Sequence, residues 1–312
     1  MTCPSYNDEI DINLYFHSII VVYSIITSVL VTILNSIYLI SVIKYTRHYF
    51  PSEIMYTFLS TSDLLLGLVW TPAWCTMWIL SMSQSKLDCL LWKVLITGGN
   101  ILAGWSLFKI GCITVDIYMS IIHPFFYDRH VTNRRAFILV AGLWMFTITL
   151  VTPFAALNKD YWSIFEHIAG TIGLSSCVII SLMHIKIYFQ IKGMCKNVTS
   201  SSSNQIDILK TKKKSAKTGL KILVTFILCY LPMSVCVICR NLIVQKTFLA
   251  TYAEPITICI FFLNPLLDPF LYYFRLSRIR TKISRLFNRA VVHPTTCDGL
   301  RKSKTASLTV CS

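Results

Sequence analysis

The sequence predicts an all-α membrane protein: a seven-transmembrane helix bundle followed by a short amphipathic cytosolic helix eight. Three observations carry that expectation. The 312 residues are 54% hydrophobic and only 14% charged, with a mean hydropathy of +0.61, whereas soluble domains carry roughly 25% charged residues. Crossing the hydrocarbon core takes about 20 mostly apolar residues as a helix, and such stretches recur near 16–43, 53–80, 89–120, 136–157, 164–191, 216–243 and 248–273. Finally, 23 of the 29 Lys and Arg fall in alternate connections and the C-terminal segment.

Taken in order, residues 1–15 read as an extracellular N-terminus. They hold Asp8, Glu9 and Asp11, lack a basic start, and precede an apolar run too long for a signal peptide, so the first helix is expected to be its own insertion signal. Residues 16–274 form one transmembrane domain, with no room for a separate soluble one. The positive-inside rule places on the cytosolic side Lys44 and Arg47, then Arg129, Arg134 and Arg135, nine Lys between 186 and 221, and nine Lys or Arg from 275 onward. The implied location is the plasma membrane, multi-pass, with the N-terminus outside. A formal charge of +15 does not imply nucleic acid here, since the basic groups lie on no globular face; they orient the chain and touch anionic membrane lipids. Residues 193–215 read as the longest loop, Ser-rich from Thr199 to Ser203 and basic at Lys212, Lys213 and Lys214. Residues 275–290 place Leu276, Ile279, Ile283 and Leu286 at helical spacing against a basic face, the pattern of a helix lying on the membrane surface. Residues 291–312 are polar and read as a disordered cytosolic tail.

Of the 12 cysteines, most sit within apolar helices as small hydrophobes. Cys3 and Cys89 are the best extracellular pair for a disulfide, that compartment being oxidising. Asn197-Val198-Thr199 has the glycosylation pattern but falls on the cytosolic side, where it stays unmodified. No metal-ligand spacing, HExxH, GxSxG or P-loop occurs, so neither an enzyme nor a metal site other than one for sodium is expected.

Polar groups at bilayer depth are costly and raise a functional hypothesis by default. Asp63, Lys109 and Asp268 fall within the second, third and seventh apolar stretches, with Asn35, Ser106 and Asn264 at similar depth. The competing reading is an interhelical hydrogen-bond network that only holds the bundle together. Two carboxylates in one bundle argue further, because two nearby negative charges need a proton or a cation.

The spacing of these residues resembles that of rhodopsin-like G-protein-coupled receptors over all seven helices. Asn35 matches the helix-one asparagine, and Leu59-Ser60-Thr61-Ser62-Asp63 resembles the helix-two LAxAD motif. Asp116-Ile117-Tyr118 with His123-Pro124 resembles the DRY motif and its following HP, and Trp144 with Pro153 suits helix four. Cys229-Tyr230-Leu231-Pro232 is similar to CWxP, and Asp268-Pro269-Phe270-Leu271-Tyr272 to the DPxxY form of NPxxY. The nearest flavour is the trace-amine-associated and aminergic branch, through Leu64 to Val69, His184 to Tyr188, and Ala216-Lys217-Thr218.

The resemblance implies roles for these positions. Asp63, Ser106, Asn264 and Asp268, with Asn35 beside them, would ring an allosteric sodium ion or share a proton; no other cofactor is implied. Asp116, Ile117, Tyr118, Tyr230, Pro232, Pro269 and Tyr272 would be activation switches, and Ile110 and Ile113 a dry layer between ligand and cytosol. A small-molecule pocket would be lined by Gly99, Asn100, Ala103, Met233, Ser234, Val237, Arg240, Glu254, Ile258 and Phe262, with Gly98, Gly99, Ala103 and Gly104 leaving open volume, although close helix packing is the better account of most of these residues. The expected function is a chemosensory or orphan receptor coupled to a heterotrimeric G protein.

Departures keep other readings open. Gly99 stands where amine receptors carry the ammonium-binding aspartate, Ile117 where the DRY arginine would be, and Tyr230 at the toggle tryptophan. A non-signalling or decaying protein with the receptor fold is the alternative, and a channel or transporter a distant one. Simple primary amines are expected to bind poorly, and Ile117→Arg to raise the agonist-to-basal signalling ratio.

Overall fold

The computed structural model describes residues 13–46, 50–82, 89–153, 159–197, 203–242, 249–275 and 280–285. Among them there is no strand, and seven helices are long and apolar enough to cross a membrane. Helix one is Leu14–Tyr45, capped by Asn13, whose side chain accepts from the Phe16 amide at 3.1 Å. Helix two runs Pro51–Leu65, widens to a π-turn over Leu66–Trp70, and continues as Thr71–Met82. Helix three is Cys89–Ile122, a short helix Pro124–His130 follows, and helix four is Asn133–Val151. Helix five is Lys159–Asn197 and helix six Ser203–Leu242. Helix seven opens with a π-turn at Leu249–Ala253, then runs Glu254–Phe261 and Leu263–Arg275.

The packing inverts that of a soluble protein. Outward faces are apolar, with Ile19, Ile33, Phe146, Leu182, Phe189 and Leu228 exposed, while Asn35, Asp63, Lys109 and Asp268 are buried inside. A hydrocarbon surround makes both choices favourable at once, with apolar side chains facing lipid and polar ones turned to one another inside. The main cluster joins helices three, five and six through Ile110, Ile113, Ile117, Ile180, Ile187, Leu223 and Phe226. A second cluster, around Trp74, Met77, Trp78 and Phe262, fills the opposite half of the bundle.

Two local features position the site. Pro72 lacks the amide that an α-helix would donate, and the turn before it widens, with the Thr71 backbone amide reaching back to Leu66 O. At this bulge helix two also meets helix one closely: the Ser28 hydroxyl donates to Gly67 O at 2.6 Å, and a Cβ on Gly67 would strike Thr32 and Val31. The result aims Trp70 at helix three.

The loop expected at 193–215 is largely helical. Helix five extends to Asn197 and helix six begins at Ser203, so Lys212, Lys213 and Lys214 lie on a helix. No proline precedes Pro232 in helix six, and its Lys, Gln and Leu residues favour helix. Of the surface helix expected at 275–290, residues 280–285 are described and helical. Lys282 ties them down, with Nζ 3.1 Å from Glu53 Oε1 and donating to Thr46 Oγ1 at 2.8 Å, and Ile283 packs on the main cluster. Residues 1–12 and 286–312 lie outside the described residues, as does Cys3, and the side chain of Cys89 is not described, so the Cys3–Cys89 pairing falls outside them too.

Candidate functional site

The centre of the bundle holds an ion pair. Lys109 Nζ on helix three lies 3.0 Å from Asp63 Oδ1 on helix two, and it also donates to Ser62 Oγ at 2.7 Å. Both charged side chains are at most 3% exposed. Ser62 passes its own hydrogen to Leu59 O at 2.8 Å, which leaves its oxygen free to accept from the ammonium. Asp268 on helix seven faces Asp63, and the Asn264 amide donates to Asp268 Oδ2 at 3.5 Å. Tyr230 closes the cluster from helix six: its hydroxyl donates to Ala103 O at 2.8 Å, and Ser106 lies against it.

Asn35 stands apart from the carboxylates. Its amide donates to Val31 O and, at 3.1 Å, to Pro265 O on helix seven, while its Oδ1 accepts from Ser60 on helix two at 2.8 Å. Every strong polar valence is spent joining helices one, two and seven. Asn35 thus joins helices one, two and seven, as the reading of an interhelical hydrogen-bond network expects.

At the basic end, Asp116 Oδ1 accepts from Tyr127 Oη at 2.7 Å, so the residue following the DRY-like turn supplies a neutral partner where an arginine is absent. Ile117 is fully buried in the main cluster. A Cβ on Gly219 would lie 2.9 Å from Ile117 Cδ1 and 2.8 Å from His184 Cε1, so helices three, five and six meet there at close quarters. Ile110 and Ile113 stack above Ile117 in the same apolar layer. The Tyr118 ring lies 6.3 Å from that of His123. Pro232 and Pro269 lie inside their helices, each removing one backbone donor. The Tyr230 ring packs at 4.5 Å on Phe226 and 5.1 Å on Phe261. The Tyr272 side chain lies outside those described.

Several of the expected pocket residues are packed against neighbouring side chains. A Cβ on Gly98 would come 3.0 Å from Trp70, and one on Gly99 would fall onto the same indole. Trp70 thus fills the space beside helix three, stacked toward Trp74 at 6.4 Å. A Cβ on Gly104 would lie 2.8 Å from Thr147, a close helix approach. Ser234 faces Gly173 of helix five, Met233 accepts a weak bond from Thr257 at 3.5 Å, and Ile258 and Phe262 join the tryptophan cluster. Asn100, Val237 and Glu254 are half-buried, and the Arg240 side chain is not among those described. A cavity of about 500 Å³ lies elsewhere, on the membrane side of helices three, four and five, lined by Leu107, Val115, Asp116, Arg135, Leu139 and Ile179 among others. None of the ten expected pocket residues lines it.

The profile of the seven-transmembrane receptors of the rhodopsin family matches residues 34–272, about three quarters of the chain and all the helices that build this centre. The chain belongs to that family. Among its relatives, trace amine-associated receptor 13c of Danio rerio is 27% identical over 247 residues, covering 68% of this chain and 70% of the relative. Lysophosphatidic acid receptor 4 of Homo sapiens is 26% identical over 208 residues, covering 55% and 52% respectively. G-protein coupled receptor 183 of Mus musculus is 24% identical over 206 residues, covering 58% and 57%. The chain spans about half the length of the lysophosphatidic acid receptor 4 sequences it matches.

For a rhodopsin-family receptor, the sodium ring implied by the resemblance can now be tested against the residues present. They do not fit it. Asp63 Oδ1 is taken by an ammonium, Asn35 is spent as a clamp, and Asn264 turns donor hydrogens toward Asp268. A further cation would sit beside a positive charge already in place.

Sequence reasoning placed Lys109 at bilayer depth but did not pair it. The signal was present in opposite charges at matching depth on adjacent helices. Tyr127 and Trp70 were missed as a partner and as a filler, because spacing along the chain does not report contacts across turns. The contact of Trp70 with helix three has a direct test. Gly99→Asp alone should lower the thermal midpoint of the purified protein, because the carboxylate meets the indole; Trp70→Ala with Gly99→Asp should recover most of the loss, by making room. Equal midpoints for the two variants would show that Trp70 does not fill that site.

Proposed function

We propose that this rhodopsin-family receptor sits in the plasma membrane with its N-terminus outside, responds to a small molecule, and signals through a heterotrimeric G protein. The observation supporting it is the closed seam at the basic end, where Ile117 of helix three meets Gly219 of helix six below the Pro232 break. Proline removes a backbone bond from helix six, so its basic half can swing with little loss of hydrogen bonding. Parting this seam would open a cleft facing cytosolic partners among basic residues such as Lys217 and Lys221. The charge asymmetry of the connections supports the orientation.

The ligand is expected to lack a requirement for an ammonium group, since helix three offers Gly99 under Trp70 in place of an anion, and a buried ammonium without its counter-charge is costly. A chemosensory or orphan role fits this divergence from amine recognition. Nanodisc-held receptor should therefore accelerate nucleotide exchange on at least one member of a panel of purified heterotrimers, when challenged with primary amines, lysophospholipids and apolar odorant-like molecules. Exchange no faster than with empty discs, across the whole panel, favours the second reading: a receptor fold that no longer signals. The substitution of Ile117 for the charged DRY residue is the observation favouring that alternative.

A further inference from the structure

We propose that Lys109 is a resident cation: its ammonium permanently occupies the charge-neutralising place at Asp63, and the receptor is consequently blind to sodium. The ammonium is anchored by three features at once. It lies 3.0 Å from Asp63 Oδ1, donates to the neutral Ser62 Oγ at 2.7 Å, and is sealed from solvent, Lys109 being 5% exposed. Ser62 is itself oriented by its bond to Leu59 O, so its lone pairs rather than its hydrogen face the ammonium. The surrounding groups agree with this occupancy. Asp268 brings a second carboxylate up to Asp63, and among the described residues Lys109 is the cation paired with Asp63. A tethered cation also has no dissociation to undergo, because its concentration at the site is fixed by the chain.

A sodium ion entering here would have to stand within about 4 Å of the ammonium to touch either carboxylate. At an effective dielectric constant of about 20, the repulsion at that distance weakens binding on the order of a thousandfold. Sodium at physiological concentration then leaves the site to the lysine. The charge arithmetic is physical rather than historical: one fixed positive group offsets the extra carboxylate that Asp268 contributes beside Asp63.

The test reads stability, and needs neither ligand nor G protein, so it stands apart from the signalling proposal. Thermal midpoints of the detergent-solubilised full chain are measured in sodium chloride and in choline chloride at equal ionic strength. The native chain should show the same midpoint in both salts. Lys109→Met, which keeps the volume and removes the charge, should unfold at a higher temperature in sodium than in choline, with at least a tenfold lower half-effect concentration than any response of the native chain. Adding Asp63→Asn to Lys109→Met should remove that difference. A sodium-specific rise in the native chain overturns the proposal by itself, even if Lys109→Met does not fold. So does a folded Lys109→Met that responds to the two salts alike, and Lys109→Gln gives a second chance to see the gain.

Discussion

Asp63→Asn should destabilise the receptor by about 3–5 kcal/mol, more than any other single polar substitution in the bundle, and Lys109→Met on top of it should restore most of the loss. The size follows from where the pair sits. An exposed ion pair is worth roughly 0–1 kcal/mol, because water already solvates each partner. The Asp63 and Lys109 side chains are at most 3% exposed, so removing the carboxylate leaves a buried ammonium without its paired charge, still donating to Ser62. Asparagine can still offer a carbonyl oxygen, which preserves shape but not charge, and the cost is electrostatic. Removing both charges removes the cause. By contrast, Asn35→Ala breaks bonds between neutral groups, each worth about 0.6 kcal/mol between membrane helices, so its loss should come to about 2 kcal/mol or less. Native tryptophan fluorescence during thermal unfolding gives the comparison, and the double variant decides it. Should Asp63→Asn with Lys109→Met be no more stable than the worse single variant, the two groups are not coupled and the buried pair is not formed.

Much of this architecture was legible in the chain because hydrophobic thickness is a one-dimensional property. The seven spans, the depth of Asp63, Lys109 and Asp268, and the break at Pro232 can each be counted along the sequence. What lies between helices cannot. Lys109 reads as one more charge in an apolar stretch until helix two is placed beside it. Gly98 and Gly99 read as open space, because a missing side chain looks the same whether a ligand or an indole fills the gap; the π-turn ahead of Pro72, which aims Trp70, decides that. Asp116 reads as unpartnered when only helix three is considered, yet the chain turns at Pro124 and brings Tyr127 back to it. The helical stretch at 203–215 was obscured for a different reason: its charge and serine content suit a solvated loop, while its propensities suit a helix that leaves the membrane.

The same contacts change what is expected of position 117. On sequence alone, Ile117→Arg restores a charged group to a DRY-like turn and should sharpen the response to agonist. In the fold, Ile117 is fully buried, and Gly219 and His184 close the seam beside it. An arginine there must drive a guanidinium through the layer that joins helices three and six, and the nearest carboxylate, Asp116, already accepts from Tyr127 at 2.7 Å. Desolvating a guanidinium in this layer costs several kcal/mol, whereas trimming one methylene with Ile117→Val costs about 0.5–1.5 kcal/mol. Ile117→Arg should therefore lose surface expression and thermal stability before any gain in coupling can be read. Tyr127→Phe combined with Ile117→Arg should recover part of the loss, because the guanidinium can then take the place of the Tyr127 hydroxyl on Asp116 Oδ1. Nucleotide exchange per folded receptor, normalised by surface labelling, then separates the two effects. If Ile117→Arg matches the native chain in midpoint and surface level, the seam between helices three and six is looser than its contacts indicate, and the arginine reaches water at the basic end unaided.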